Sequence, residues 1–149
     1  MHYRWPRYAG VVLTPTLPPF PWTEHHIAPK PSESQILAII NRLVNRGILP
    51  DTGHIDRPND PWQIAPDKGR CHDYAVTKQW LLTALGISSQ LCECIAPDGE
   101  HHMVLIVGDV VLDNLTEAIG PMRYEVVRMQ TAGDPDVWEK TTCQPSISA

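Results

Sequence analysis

Apolar residues follow different rhythms along the chain, and each rhythm predicts an element. From Ser32 the rhythm is helical, with Ile36, Ile39, Ile40, Leu43 and Val44 recurring at helical spacing. The preceding Ser32-Glu33-Ser34-Gln35 is a capping-box pattern behind Pro31, and Gly47 supplies a C-terminal stop. A second helix is predicted from Cys71 to Leu85, ending at Gly86. Cys71, Ala75, Lys78, Leu82 and Leu85 lie along one of its stripes, with Tyr74 and Leu81 beside it. Beyond it the runs shorten to strand length: Ser89–Ile95, His102–Val107 and Val110–Leu115. Pro97-Asp98-Gly99-Glu100 and Gly108-Asp109 join them as hairpin-type connectors. Tyr124–Met129 predicts a further strand, followed by a Gly-Asp-Pro-Asp turn, Trp138 and a polar tail. Helices followed by hairpin-linked strands predict an α+β domain, with the Cys71 helix packed on an antiparallel sheet.

Prolines mark the boundaries. The chain has 15 of them, seven at or before Pro31, and the segment from Pro15 to Pro31 is expected to hold neither a regular helix nor a central strand. Residues 1–31 are therefore read as an extended Pro-rich arm, 32–142 as the domain and 143–149 as a polar tail. Residues 48–70, broken by Gly53, Pro58, Pro61, Pro66 and Gly69, form a long loop carrying Trp62. Loops this long in small domains tend to serve a site.

Composition narrows the function. The 149 residues suit one domain, and 42% hydrophobic content supports a buried core. A formal net charge of -5 argues against a nucleic-acid or anionic-membrane binder. No apolar run reaches the roughly 18–20 residues of a membrane span. Ahead of Thr14 and Pro15 the apolar stretch Ala9–Leu13 is short of a secretory core of about 7–15 residues. A cytoplasmic, reducing setting is expected, with Cys71, Cys92, Cys94 and Cys143 as thiols. No Cys-x-x-Cys pair is present, and Cys92 and Cys94 read better as core than as zinc ligands.

Hairpin register then selects the chemistry. A two-residue loop at Gly108-Asp109 pairs Val107 with Val110, so counting outward sets His102 opposite Leu115. His102 and Asp113 then share a face as diagonal neighbours, while His101 points the other way. The same counting across Pro97–Glu100 pairs Ile95 with His102 and puts Cys92, Cys94 and His101 on the opposite face. A thiol at a helix start, where free N–H groups favour an anion, is suited to become a thiolate. His102 would exchange its proton and Asp113 would orient the imidazole. The N–H of Cys71 is a natural oxyanion donor, and Trp62 can add its indole N–H or wall the cleft.

Gly69-Arg70-Cys71-His72-Asp73-Tyr74-Ala75, with Lys78, Leu82 and Gly86, resembles the nucleophile motif of the bacterial transglutaminase-like cysteine peptidases. His102-Met103-Val104-Leu105 and Val111-Leu112-Asp113-Asn114-Leu115 are similar to that family's His and Asp motifs. Asn41, Asn45, Asp60 and Trp62 fit its pattern of a helix followed by a Trp-containing loop. The resemblance covers roughly residues 33–140. It implies a papain-like transglutaminase core with a Cys71-His102-Asp113 triad hydrolysing peptide bonds, supported by Asp73, Tyr74, Lys78 and Asn114. It also implies a protein or peptide substrate. The family's best-known members are periplasmic and depend on calcium. Here Arg70 and His72 stand at positions that those members fill with acidic residues, so no cofactor is expected.

Each residue also has a plainer reading. Cys71 alone would be a buried hydrophobe, and Asp73 a complement to the helix start. Lys78 can snorkel to solvent, and Asp113-Asn114 can be a strand-end turn. Amine in place of water would make the same site a transglutaminase or amidase acting on protein or cell-wall cross-links. A silent fold would leave a protein-binding module.

Overall fold

Helix α1 spans Glu33–Gly47 and begins where its capping signal lies: Ser32 Oγ accepts the Gln35 N–H, and Gln35 Oε1 accepts the Ser32 N–H. A computed structural model describes residues 29–53 and 61–140. The Pro-rich arm up to residue 28, the 54–60 stretch of the long loop and the tail lie outside the described residues.

The buried stripe of α1 is Leu37, Ile40, Asn41 and Val44, while Ile39 and Leu43 are 48% and 61% exposed. This corrects the stripe that periodicity alone suggested. The helix is turned so that Asn41, fully buried, reaches the Thr116 and Glu117 carbonyls at 3.1 and 3.0 Å. A buried amide needs partners, and these are its partners.

Two short strands flank the long loop. β1 (Leu49–Pro50) pairs in parallel with β2 (Lys68–Gly69), which sequence alone left inside the loop. Helix α2 spans Cys71–Ala84 and closes at Gly86, whose φ of 75° is one that glycine adopts without strain. It is buried nearly all round: Asp73 to Gln79 without a break, and Leu82. Lys78 is 1% exposed, so it does not snorkel to solvent.

The sheet has five antiparallel strands in the order β5-β4-β3-β6-β7, from β3 (Gln90–Ile95), β4 (His101–Val107), β5 (Val110–Leu112), β6 (Glu125–Thr131) and β7 (Asp134–Lys140). Val107 pairs with Val110 as the Gly108-Asp109 turn predicts, with Gly108 at φ 58° as the first residue of a II′-type turn. The other hairpin differs from the count made on sequence. Cys94 pairs with His102 and Ile95 with His101. Ala96 N–H bonds Glu100 O at 2.9 Å around a Pro97-Asp98-Gly99 loop, with Gly99 left-handed at φ 84°. A three-residue loop shifts the register by one against a four-residue loop. Cys92 and Cys94 therefore share the face of His102, not of His101. β7 is the other surprise, because the Gly-Asp-Pro-Asp segment runs into an edge strand, where proline is tolerated.

Side chains alternate across β4 into two cores. Met103, Leu105 and Val107 join Leu91 and Leu112 against α1 and α2. Val104 and Ile106 join Cys92, Cys94 and Val111 on the other face. Leu82, Leu91, Leu105 and Leu112 are fully buried, each contributing about 1.5–3 kcal/mol through lost apolar hydration. Among the described residues no helix is long and apolar enough to cross a membrane.

Candidate active site

Cys71 opens α2 because the loop before it is pinned by Asp73. One Asp73 oxygen accepts the Arg70 N–H at 2.9 Å, and the other accepts the Gln63 N–H at 2.8 Å. A single carboxylate thus caps the helix and ties down the Trp62 loop. Gly69 leaves room for it: a Cβ there would lie 2.9 Å from Asp73 Cβ and 3.1 Å from Pro66. Trp62 stacks on His72, with ring centroids 5.6 Å apart, next to the thiol. Tyr74 donates to Ile48 O at 2.7 Å and so fastens α2 to the end of α1.

The donors that act on the Cys71 thiol are His102, His72 and the Met103 N–H. On the far side of the imidazole, His102 Nε2 meets Asp113 Oδ1 at 2.8 Å, with both groups buried. An ionised carboxylate only accepts, so Nε2 carries the proton and Nδ1 is left for the sulfur. Asp113 is held from three more directions. The Leu115 N–H donates to its Oδ1 at 3.0 Å, Tyr124 donates to its Oδ2, and Asn45 on α1 donates to its carbonyl at 2.9 Å. Tyr124 also packs edge-on against His102 at 5.6 Å. A bridge between Val111 and Gly120 folds the intervening segment back, giving the Asp113 turn a closed base.

The electrostatics follow from these bonds. Burial would raise the Cys71 thiol, but His102, His72 and the Met103 N–H bring its pKa down to about 6. Burial opposes charge on His102, yet its bonds to Asp113 and Cys71, and their charges, bring it up to about 9. For Asp113, burial pushes up, and the bonds from His102, Leu115 and Tyr124 outweigh it to hold the carboxyl below its ordinary value. Between about pH 6 and 9 the favoured state is thiolate facing imidazolium.

The structure thus brings Cys71, His102 and Asp113 together, with Trp62 and Asp73 at the helix start. Asn114 follows Asp113, and its side-chain oxygen is buried with no hydrogen bond among the described residues. His101, by contrast, is exposed and bonds Glu93 at 2.9 Å, while Glu93 also meets Arg128, whose guanidinium lies 5.5 Å from the Trp138 ring. Sequence reasoning missed two neighbours of the reacting groups, Tyr124 and His72. Tyr124 reads only as the start of a strand, and nothing local ties it to Asp113. His72 stood next to the thiol throughout, a position that was itself a signal.

These features define the class of protein: a cysteine proteinase built on an α+β scaffold. The chain belongs to the bacterial transglutaminase-like cysteine proteinases, whose family model matches residues 22–144. Among solved structures it is similar to calcium-bound Legionella pneumophila LapG, at a TM-score of 0.58 and 19% identity over 76% of this chain and 72% of that one. A second structure of Legionella pneumophila LapG gives 0.54 at 22% identity over 64% and 62% of the two chains. Its EGTA-treated form gives 0.52 at 22% identity over 64% and 61%. At such identities the likeness is one of fold. No match was found among curated proteins.

The calcium-bound LapG corrects the expectation that no cofactor belongs here. Calcium gathers about six to eight oxygens, backbone carbonyls and waters included, so two flanking residues such as Arg70 and His72 do not decide the matter. Among the described residues, however, no three His, Cys, Asp or Glu side chains are gathered for a metal, and both Asp73 oxygens already accept backbone N–H groups. No step below passes through the ion.

Proposed function

We propose that this proteinase cleaves peptide or isopeptide amide bonds through Cys71, His102 and Asp113, by way of an acyl-enzyme. The observation that carries the reading is a continuous relay: sulfur to imidazole, and imidazole Nε2 to Asp113 at 2.8 Å.

The Cys71 thiolate attacks the substrate carbonyl carbon, forming a C–S bond and an oxyanion. The N–H of Cys71 sits in the first turn of α2, where it has no intrahelical acceptor, and we assign it as the donor to that oxyanion. His102, as imidazolium, gives its proton to the leaving nitrogen, and the C–N bond breaks. Neutral His102 then takes a proton from water, which attacks the thioester and releases the acid. Cys71 leaves as thiolate, and the imidazolium is restored. Asp113 fixes the tautomer and balances the imidazolium throughout. To Trp62, stacked on His72, we assign the wall of the substrate cleft.

The test compares new protein N-termini in cells expressing the wild type with those in cells expressing Cys71→Ala. Termini that vanish with the sulfur support the reading, and their sequences define the cleavage site. An identical set in both removes it.

A further inference from the structure

A carboxylate interrupts the row of side chains that the sheet turns toward its helices. Strand pairing sets Leu91 beside Leu105 and Glu93 beside Met103, and Leu91, Leu105 and Met103 all lie in the helix-side core. Glu93 stands in that apolar row with its side chain only 12% exposed. His101 Nδ1 lies 2.9 Å from its Oε1, and Arg128 Nε donates to its Oε2. An ionised carboxylate only accepts, so His101 Nδ1 carries the proton. Ion pairs withdrawn from water are weak evidence for stability, because apolar side chains of similar volume often do as well. The mechanism above gives this cluster no part.

The cluster is fastened to His102 from both sides. His101 precedes His102 in the chain and is bonded through its ring to Glu93. Met103 follows His102 and is paired across the strands with that same glutamate. Cys94, next to Glu93, pairs with His102 itself, and its Sγ donates to the His102 carbonyl at 3.4 Å. Two consecutive residues of β3 thus hold three consecutive residues of β4, and the middle one carries the imidazole. A second observation points to the same step. The pairing of β3 with β6 shifts register between Glu93 and Cys94. Such irregularities bend a strand locally and re-aim a side chain. Arg128, paired with Glu93 just before the shift, ties down its other flank.

We propose that Glu93 is a positioning residue for the peptidase reaction, fixing through His101 the twist of β4 at which His102 meets both Cys71 and Asp113. This role rests on the triad reading proposed above. His101 and His102 leave the strand in opposite directions, so rotation of β4 about its own axis swings both rings together. Holding the outer ring therefore holds the inner one. The bond to Asp113 at 2.8 Å fixes where Nε2 sits but not how the ring is tilted, and the tether at His101 sets the tilt. Reacting groups tolerate only about 0.5 Å or 10–20° of misalignment, so a small twist is enough to part the imidazole from the sulfur.

The test is the pH profile of Cys71 alkylation by iodoacetamide, read by mass spectrometry on the full chain with no substrate present. Glu93→Ala should move the midpoint up by about one pH unit, slowing labelling up to about tenfold below pH 6. His101→Ala removes a side chain that is 69% exposed and cuts only the tether. It should shift the midpoint in the same direction, and it carries the test if Glu93→Ala does not fold. The double variant should shift no further than Glu93→Ala, because both changes cut one bond. Glu93→Gln, which keeps an acceptor for His101, should restore most of the wild-type profile. Ile40→Val, a core change on α1, should lower Tm and leave the midpoint in place.

Coincident profiles for the wild type, Glu93→Ala and His101→Ala overturn the proposal, and so does an equal shift in Ile40→Val. His102→Ala separates the two readings. If it raises the midpoint while Glu93→Ala and His101→Ala do not, only the tether is lost; if it leaves the midpoint in place, the triad reading itself goes.

Discussion

Cys71 is half-buried and the Cys92–Cys94 pair fully buried, yet their thiols are driven in opposite directions. Burial raises every one of them. At Cys92 nothing opposes it, and with Glu93 adding to it the thiol is pushed up to about 12. Cys94 donates its own proton to the His102 carbonyl at 3.4 Å and faces further negative charge, so it too is held high. Cys71 instead receives donors: two imidazoles and a backbone N–H bring it to about 6. Burial alone makes an inert thiol, and burial with converging donors makes a nucleophile. The strand pair belongs to the core; the helix-start thiol is the one whose surroundings favour a thiolate.

The contrast can be broken in graded ways. Cys71→Ala should lower kcat/KM by at least about 10^4-fold, whereas Cys92→Ala should act through stability, because it removes only core volume. Steady-state kinetics beside thermal melts separate the two outcomes. Asp113→Asn should leave His102 in place but unsettle its tautomer, lowering kcat by about 10^2–10^4-fold. Tyr124→Phe removes a donor to the Asp113 carboxylate and keeps the ring against His102. A hydrogen bond to a charged group contributes about 1.5–3 kcal/mol, so a loss of roughly tenfold in kcat/KM is expected. Asn45→Ala should have the smallest effect on chemistry. It frees the Asp113 and Thr116 carbonyls, costing about 1–2 kcal/mol in denaturant unfolding and a few-fold in activity.

The site was more legible than its surroundings. One turn, Gly108-Asp109, sets a register short enough to count, and that count joined His102 to Asp113 across β4 and β5. The capping box at Ser32 likewise carries its meaning within four residues. What escaped depends on long-range contacts. Tyr124 reaches Asp113 only because β6 pairs with β3, a relation that no local pattern encodes. The left-handed Gly99 closes a three-residue loop and moves Cys94 opposite His102, which composition could not decide between. Asn41 and Lys78 break the rule that polar residues stay outside, and Asn41 does so against the segment that follows Asp113. Polar burial of that kind is where pattern reading fails and function sits.

The central claim is that Cys71 is a preformed thiolate made by His102. Residue-resolved alkylation from pH 4 to 10 tests it most directly. Thiolate is the reactive form, so labelling at Cys71 should rise through a midpoint near pH 6, far below the ordinary thiol range, while Cys92 and Cys94 stay unlabelled in the folded protein. A Cys71 midpoint at or above 8, unmoved by His102→Ala, would contradict the account.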